Sequence, residues 1–115
     1  IVDECIHMAS VPNIKTAEPP TTGIPHVYFM DTPAGVGFEP ELYVDITTTF
    51  ATKVEMLSKH ASQSSWMKDL FGYEIEAFLE IPAKFRGLQA GVPMAEAFRP
   101  SYRWGRTFRK HLLPE

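Results

Sequence analysis

Cysteine is almost missing from this chain: Cys5 is the single one among 115 residues. That excludes an internal disulfide and any cysteine-based zinc site, and it fits a reducing compartment. No apolar run approaches the ~18 residues that a membrane-spanning helix needs. Charge of one sign is lacking too, since 11 Lys and Arg stand against 14 Asp and Glu for a formal net charge of -3. Such a balance provides no general attraction to phosphate backbones or anionic lipid. There is no P-loop and no G-x-S-x-G elbow, and Gly35-Val36-Gly37 lacks the third glycine and the following helix of a dinucleotide site.

The residues that are present have the proportions of an ordinary folded domain, with 44% hydrophobic and 22% charged side chains. The length suits one domain, residues 1–115, able to bury roughly two-thirds of its unfolded surface. Ile1 to Ala9 reads as the later turns of a helix without a capping residue before it. The chain is therefore expected to be the C-terminal part of a larger α/β domain, incomplete at its N-terminus. No secretory signal pattern is visible, although with such a beginning its absence carries no information.

A long proline-bearing loop through Pro12, Pro19, Pro20 and Pro25 leads to His26–Met30, which reads as a buried strand. Tyr43–Ile46 is a second strand, and Thr47 or Thr48 is placed to cap the helix that follows. Phe50, Val54, Leu57 and Ala61 recur at helical spacing and predict a helix to about Gln63, with Glu55 and Lys59 paired along it. A second helical stripe with Leu70, Phe71, Ile75, Phe78 and Leu79 reaches Pro82, where a kink or a new helix is expected. Phe85 and Leu88 extend that stripe, Gly91 ends it, and Met94–Phe98 alternates as a final edge strand would.

Candidate chemistry is dispersed. His7, His26, His60 and His111 with Asp31, Asp45 and Glu96 are the available metal donors, and none stands in a compact ligand spacing. His60 sits where it can cap the end of a helix, or face an active-site mouth or a subunit interface. Arg86 can place a cation at a helix end, and Glu96 in a small apolar strand needs a partner if buried, so an Arg86–Glu96 pair is conceivable. Arg99, Arg103, Arg106, Arg109 and Lys110 interleave with Tyr102, Trp104 and Phe108, the chemistry of a single-strand nucleic-acid surface. In an acidic chain, packing of this tail on its own domain or on a neighbouring subunit is the expected role, and no nucleic-acid partner is expected.

Several segments taken in order carry a resemblance. These are Ala9-Ser10-Val11-Pro12-Asn13, Phe38-Glu39-Pro40, Val44-Asp45-Ile46-Thr47, Lys53, His60-Ala61-Ser62-Gln63, Arg86-Gly87, Gly91-Val92 and Ala95-Glu96-Ala97-Phe98. Together they resemble the C-terminal half of the PIG-L/LmbE-like N-acetylglucosaminyl deacetylases. The resemblance implies a Rossmann-like three-layer α/β domain, often oligomeric. It implies one zinc and hydrolysis of the acetamide of a GlcNAc-containing small molecule or glycoconjugate. In that family an A-H-P-D-D motif and an H-P-D-H motif hold the metal and supply the base, and neither is present in this sequence.

On this resemblance no catalytic residue and no metal ligand lies in the segment, which alone is expected to be inactive. His60, Gln63, Arg86 and Glu96 are expected to frame or support the substrate pocket. The expected setting is a cytoplasmic homo-oligomer with no membrane span. Met94 stands where family members commonly have tyrosine, which removes a hydroxyl from the expected pocket and leaves the substrate open. The competing reading is a non-catalytic α/β interaction or oligomerisation module.

Overall fold

The computed structural model describes residues 1–102. The basic residues from Arg103 onward, with Trp104, Phe108 and His111, lie outside the described residues. Among those described, the order is α1 (Val2–Met8), β1 (Tyr28–Met30), β2 (Leu42–Asp45), α2 (Phe50–Ser58), α3 (Ala61–Phe71), α4 (Ile75–Ala90) and β3 (Ala95–Pro100). The chain is thus mixed α/β, with a three-stranded antiparallel sheet in the order β1-β3-β2. It divides into two compact units, residues 1–29 with 100–102, and residues 30–99.

In the first unit, α1 carries acidic Asp3 and Glu4 in its first turn, where the helix dipole favours them, and buries none of its residues. The proline-bearing stretch after it has no regular structure, tied by the Thr21 N–H donating to Ala9 O at 2.9 Å. The Ser101 N–H donates to Val27 O. β1 is shorter than its sequence suggests, and it is not buried: Phe29 and Met30 are exposed. As an edge strand it has one neighbour, so its apolar side chains lack the cover of a central strand.

The second unit contains the core. Ile46, Phe50 and Ala83 are buried together, with Val44, Val54, Leu79 and Met94 packed against them. These come from the β2 end, α2, α4 and the residue before β3, so every apolar position read as helical in α2 except Ala61 points inward or partly inward. The long helix expected to Gln63 is in fact two: α2 ends at Ser58, and His60, in a non-helical conformation, precedes α3. The apolar spacing continued across this joint, which hid the break from periodicity. The Glu55–Lys59 ion pair forms at 3.3 Å on the exposed face.

The entrance to α2 also differs from expectation. Its N-cap is Thr49, without a side-chain capping bond. The Thr47 hydroxyl instead donates to Asp45 Oδ1 at 2.5 Å, while the Thr47 N–H donates to the same oxygen at 2.8 Å. These bonds, the hydroxyl's first, hold the exposed Asp45 carboxyl below its ordinary range.

α4 runs as one helix through Pro82. Proline has no N–H and so removes one rung of the hydrogen-bond ladder without ending the helix, because the packing on either side holds. Gly91 closes α4 at φ 76°, and the Val92 N–H returns to Gly87 O at 3.0 Å. Gly87 is constrained from the other side: a Cβ there would lie 2.6 Å from Val92 O and 2.7 Å from Pro93 O. β3 follows at once and is the central strand rather than the expected edge strand. Its Ala95 and Ala97 are buried, and their small size permits α4 to approach.

Two outcomes are expected. Gly87→Ala forces backbone apart and should destabilise the fold by about 1–3 kcal/mol, read from the urea midpoint at unchanged m. Thr47→Val removes the largest cause of the depressed Asp45 pKa, so the Asp45 carboxyl should titrate closer to its ordinary range by carbon-detected NMR. The sign follows from linkage. A carboxyl held low in the folded state adds stability above its unfolded pKa, and that stability disappears as pH falls through the folded pKa. Thr47→Val should therefore flatten the loss of stability on acidification.

Candidate functional site

The site is built on one buried cation. Arg86 is 4% exposed, in the part of α4 that faces the sheet. Its Nε donates to Asp31 Oδ2 at 2.5 Å, and its Nη1 donates to Gln89 Oε1 at 2.8 Å. The same Gln89 oxygen accepts from the Tyr43 hydroxyl at 3.3 Å. Asp31 follows β1 directly, and its N–H donates to Ala97 O, while Tyr43 is the register partner of Ala97. Asp31, Ala97 and Tyr43 therefore form a row across the sheet, and α4 grips both ends of it.

The Asp31 carboxylate is further fixed by the Thr32 N–H, which donates to Oδ1 at 2.7 Å. Arg86 Nη2 is buried without a hydrogen-bond partner, and a Cβ on Gly35 would come within 3.0 Å of it. Gly35 has φ 71°, so this turn needs glycine both for its backbone conformation and for the guanidinium beside it. Phe85 covers another side, its ring centroid 5.0 Å from the guanidinium carbon.

A second ion pair stands nearby. Lys53 Nζ donates to Glu96 Oε1 at 2.6 Å, with both side chains about one-third exposed. Asp31, Arg86, Lys53 and Glu96 all line a cleft of about 170 Å3, whose apolar wall includes Phe78, Leu79 and Pro82. A more open hollow of about 500 Å3 lies beside it, lined by Met56, Leu57 and His60 among others. Lys53, Glu96 and Leu79 line both, so the ion pair is the partition between them.

The expected site residues are only partly assembled. Arg86 and Glu96 do share the cleft, but they do not pair with each other: each has its own oppositely charged partner. Arg86 pairs with Asp31, which follows β1, and Glu96 of β3 pairs with Lys53 of α2. His60 lines the hollow and does not cap the end of α2; its carbonyl accepts from the Gln63 and Ser64 N–H groups that begin α3. Gln63 is exposed and lines neither space. Among the described residues no three His, Cys, Asp or Glu side chains stand together as a metal site would require. Arg99 lies over the Phe38 ring at 5.4 Å, packed on its own unit.

Asp31 was missed as the anchor of Arg86, and Lys53 as the partner of Glu96. Both left a signal. Asp31 ends an apolar run, and Lys53 falls in the α2 stripe of Phe50, Val54 and Leu57, a position where a lone lysine must find a carboxylate.

No family model, no curated protein and no solved structure matches the chain.

Asp31→Ala leaves the buried guanidinium without its counter-ion and should cost about 3–5 kcal/mol, measured by chemical denaturation. Replacing both partners with apolar residues, Asp31→Leu with Arg86→Met, should cost markedly less than Asp31→Ala alone.

Proposed function

We propose that the chain is the C-terminal part of a zinc-dependent N-deacetylase, a cytoplasmic homo-oligomer that hydrolyses the acetamide of a GlcNAc-containing small molecule or glycoconjugate. One observation carries this reading. Lys53, His60, Arg86 and Glu96, four of the residues on which the resemblance rests, gather around one cleft and its adjoining hollow.

The described residues do not themselves fit a zinc ion. Their donors are dispersed, and the Asp31 and Glu96 carboxylates are each occupied by a cation. On this reading the metal and the base belong to the A-H-P-D-D and H-P-D-H motifs, outside this sequence, and the cleft supports the substrate. Lys53 and Glu96 present a donor and an acceptor side by side, Phe78 and Leu79 exclude water from one wall, and Arg86 keeps α4 fixed against the sheet. A Rossmann-like parent is compatible with the antiparallel sheet, because open α/β sheets often carry antiparallel strands at one margin.

A second reading, an interaction or oligomerisation module, is favoured by a different observation. Ile81, Phe85 and Leu88 are 58%, 50% and 81% exposed and recur on one side of α4. Apolar stripes of this kind commonly mark contact surfaces. Among the described residues no helix is long and apolar enough to cross a membrane.

The test is to express the full coding sequence and measure zinc content together with acetate release from N-acetylglucosamine compounds. The deacetylase reading expects about one zinc per chain and activity abolished by a chelator and restored by zinc. Neither metal nor acetate release, with both motifs absent upstream, would leave the interaction module.

A further inference from the structure

Thr32 stands where the anchor of Arg86 meets solvent. Its N–H donates to Asp31 Oδ1, while Arg86 Nε donates to Oδ2 of the same carboxylate. Its carbonyl accepts from the Gly35 N–H at 3.0 Å, closing a turn with Pro33 at the second position. Gly35 in its turn lies against Arg86 Nη2. The Thr32 side chain is exposed, and its hydroxyl donates to Val36 O at 3.2 Å, a second tie across this loop.

Thr32 is also the one serine or threonine of the sequence that a proline follows. Pro33 has no N–H and favours an extended conformation for the residue before it. An exposed threonine held extended before proline is what proline-directed protein kinases accept.

A phosphoryl group on Thr32 Oγ1 changes three interactions at once. The proton donated to Val36 O is lost, so the loop keeps only the Gly35 tie of the two. A group of charge about -1.5 to -2 arrives beside the Asp31 carboxylate, which it repels. Its oxygens are strong acceptors, and they belong to the turn that covers Nη2, the guanidinium nitrogen with no acceptor among the described residues. Thr32 and Arg86 line the same cleft.

We propose that Thr32 is a phosphorylation site for a proline-directed protein kinase, and that its phosphoryl group draws the Arg86 guanidinium from Asp31 onto itself. In the reaction the γ-phosphoryl of ATP parts from ADP and bonds to Thr32 Oγ1, and the hydroxyl proton passes to the catalytic aspartate of the kinase. The modification acts on the anchor of α4 and does not depend on the deacetylase reading.

The experiment incubates the full-length protein with a proline-directed kinase and magnesium ATP and locates phosphate by tandem mass spectrometry. Phosphate should accumulate on Thr32, and Pro33→Ala should slow its incorporation by roughly tenfold or more. A peptide of residues 27–38, treated alike, should be modified too. Phosphorus NMR then follows the second ionisation of the phosphothreonine, ordinarily at about pH 6. A guanidinium in contact favours the dianion, so the folded protein should titrate below the peptide by roughly half a pH unit or more. The Arg86 Nε proton signal, set by Asp31 in the unmodified protein, should move on phosphorylation. The proposal is overturned if the peptide is modified and the folded protein is not, or if neither acquires phosphate at Thr32. A phosphothreonine that titrates as in the peptide, or an unmoved Nε proton, overturns it equally.

Discussion

The burial of Arg86 is the constraint on which the second unit depends. A guanidinium is costly to withdraw from water unless its charge is countered. Meeting that demand fixes the conformation of Asp31 at the end of β1, recruits Gln89 from the next turn of α4, and through Gln89 reaches Tyr43 on β2. It also explains the small residues around it. Ala97 lets the helix approach the sheet, Gly87 lets α4 meet the 92–93 backbone, and Gly35 leaves room beside Nη2. One polar side chain thus ties α4 to the residue after β1 and, through Gln89, to β2.

Much of this was legible in the sequence and some was not, for identifiable reasons. The mixed α/β class, the strand at Tyr43–Ile46, the helical stripe from Phe50 and the glycine closure at Gly91 follow from local period and capping, which the tertiary structure respects. The division at His60 was hidden because both helices keep apolar residues in phase across it. Phe85 and Leu88 looked like core by spacing, yet α4 turns Ala83, Arg86 and Gly87 inward instead. Period alone cannot choose between two faces when the buried one contains an arginine and a glycine. Strand order was likewise beyond local reading: β3 comes last among the described strands but is the central one.

The candidate site was legible in membership more than in pairing. Arg86 and Glu96 belong to it and His60 borders it, but their partners come from residues whose importance appears only when α2 and the end of β1 are brought to the same cleft. Two neutralised pairs, rather than an array of one sign, make it a place for a polar uncharged group.

Pro82 inside α4 has a consequence for motion. With no N–H at that position, the ladder is interrupted between the first turns of the helix and the last. The later half is bolted to the sheet by Arg86 and closed at Gly91; the earlier half, bearing Phe78 and Leu79, is held by packing and by the exposed Glu74–Lys68 and Glu80–Lys84 ion pairs. Amide exchange will accordingly divide along this line, the later half opening only with the whole unit and the earlier half by a smaller excursion. Phe78 and Leu79 before the missing rung and Arg86 after it line one cleft together, so the two halves of the helix meet at the site.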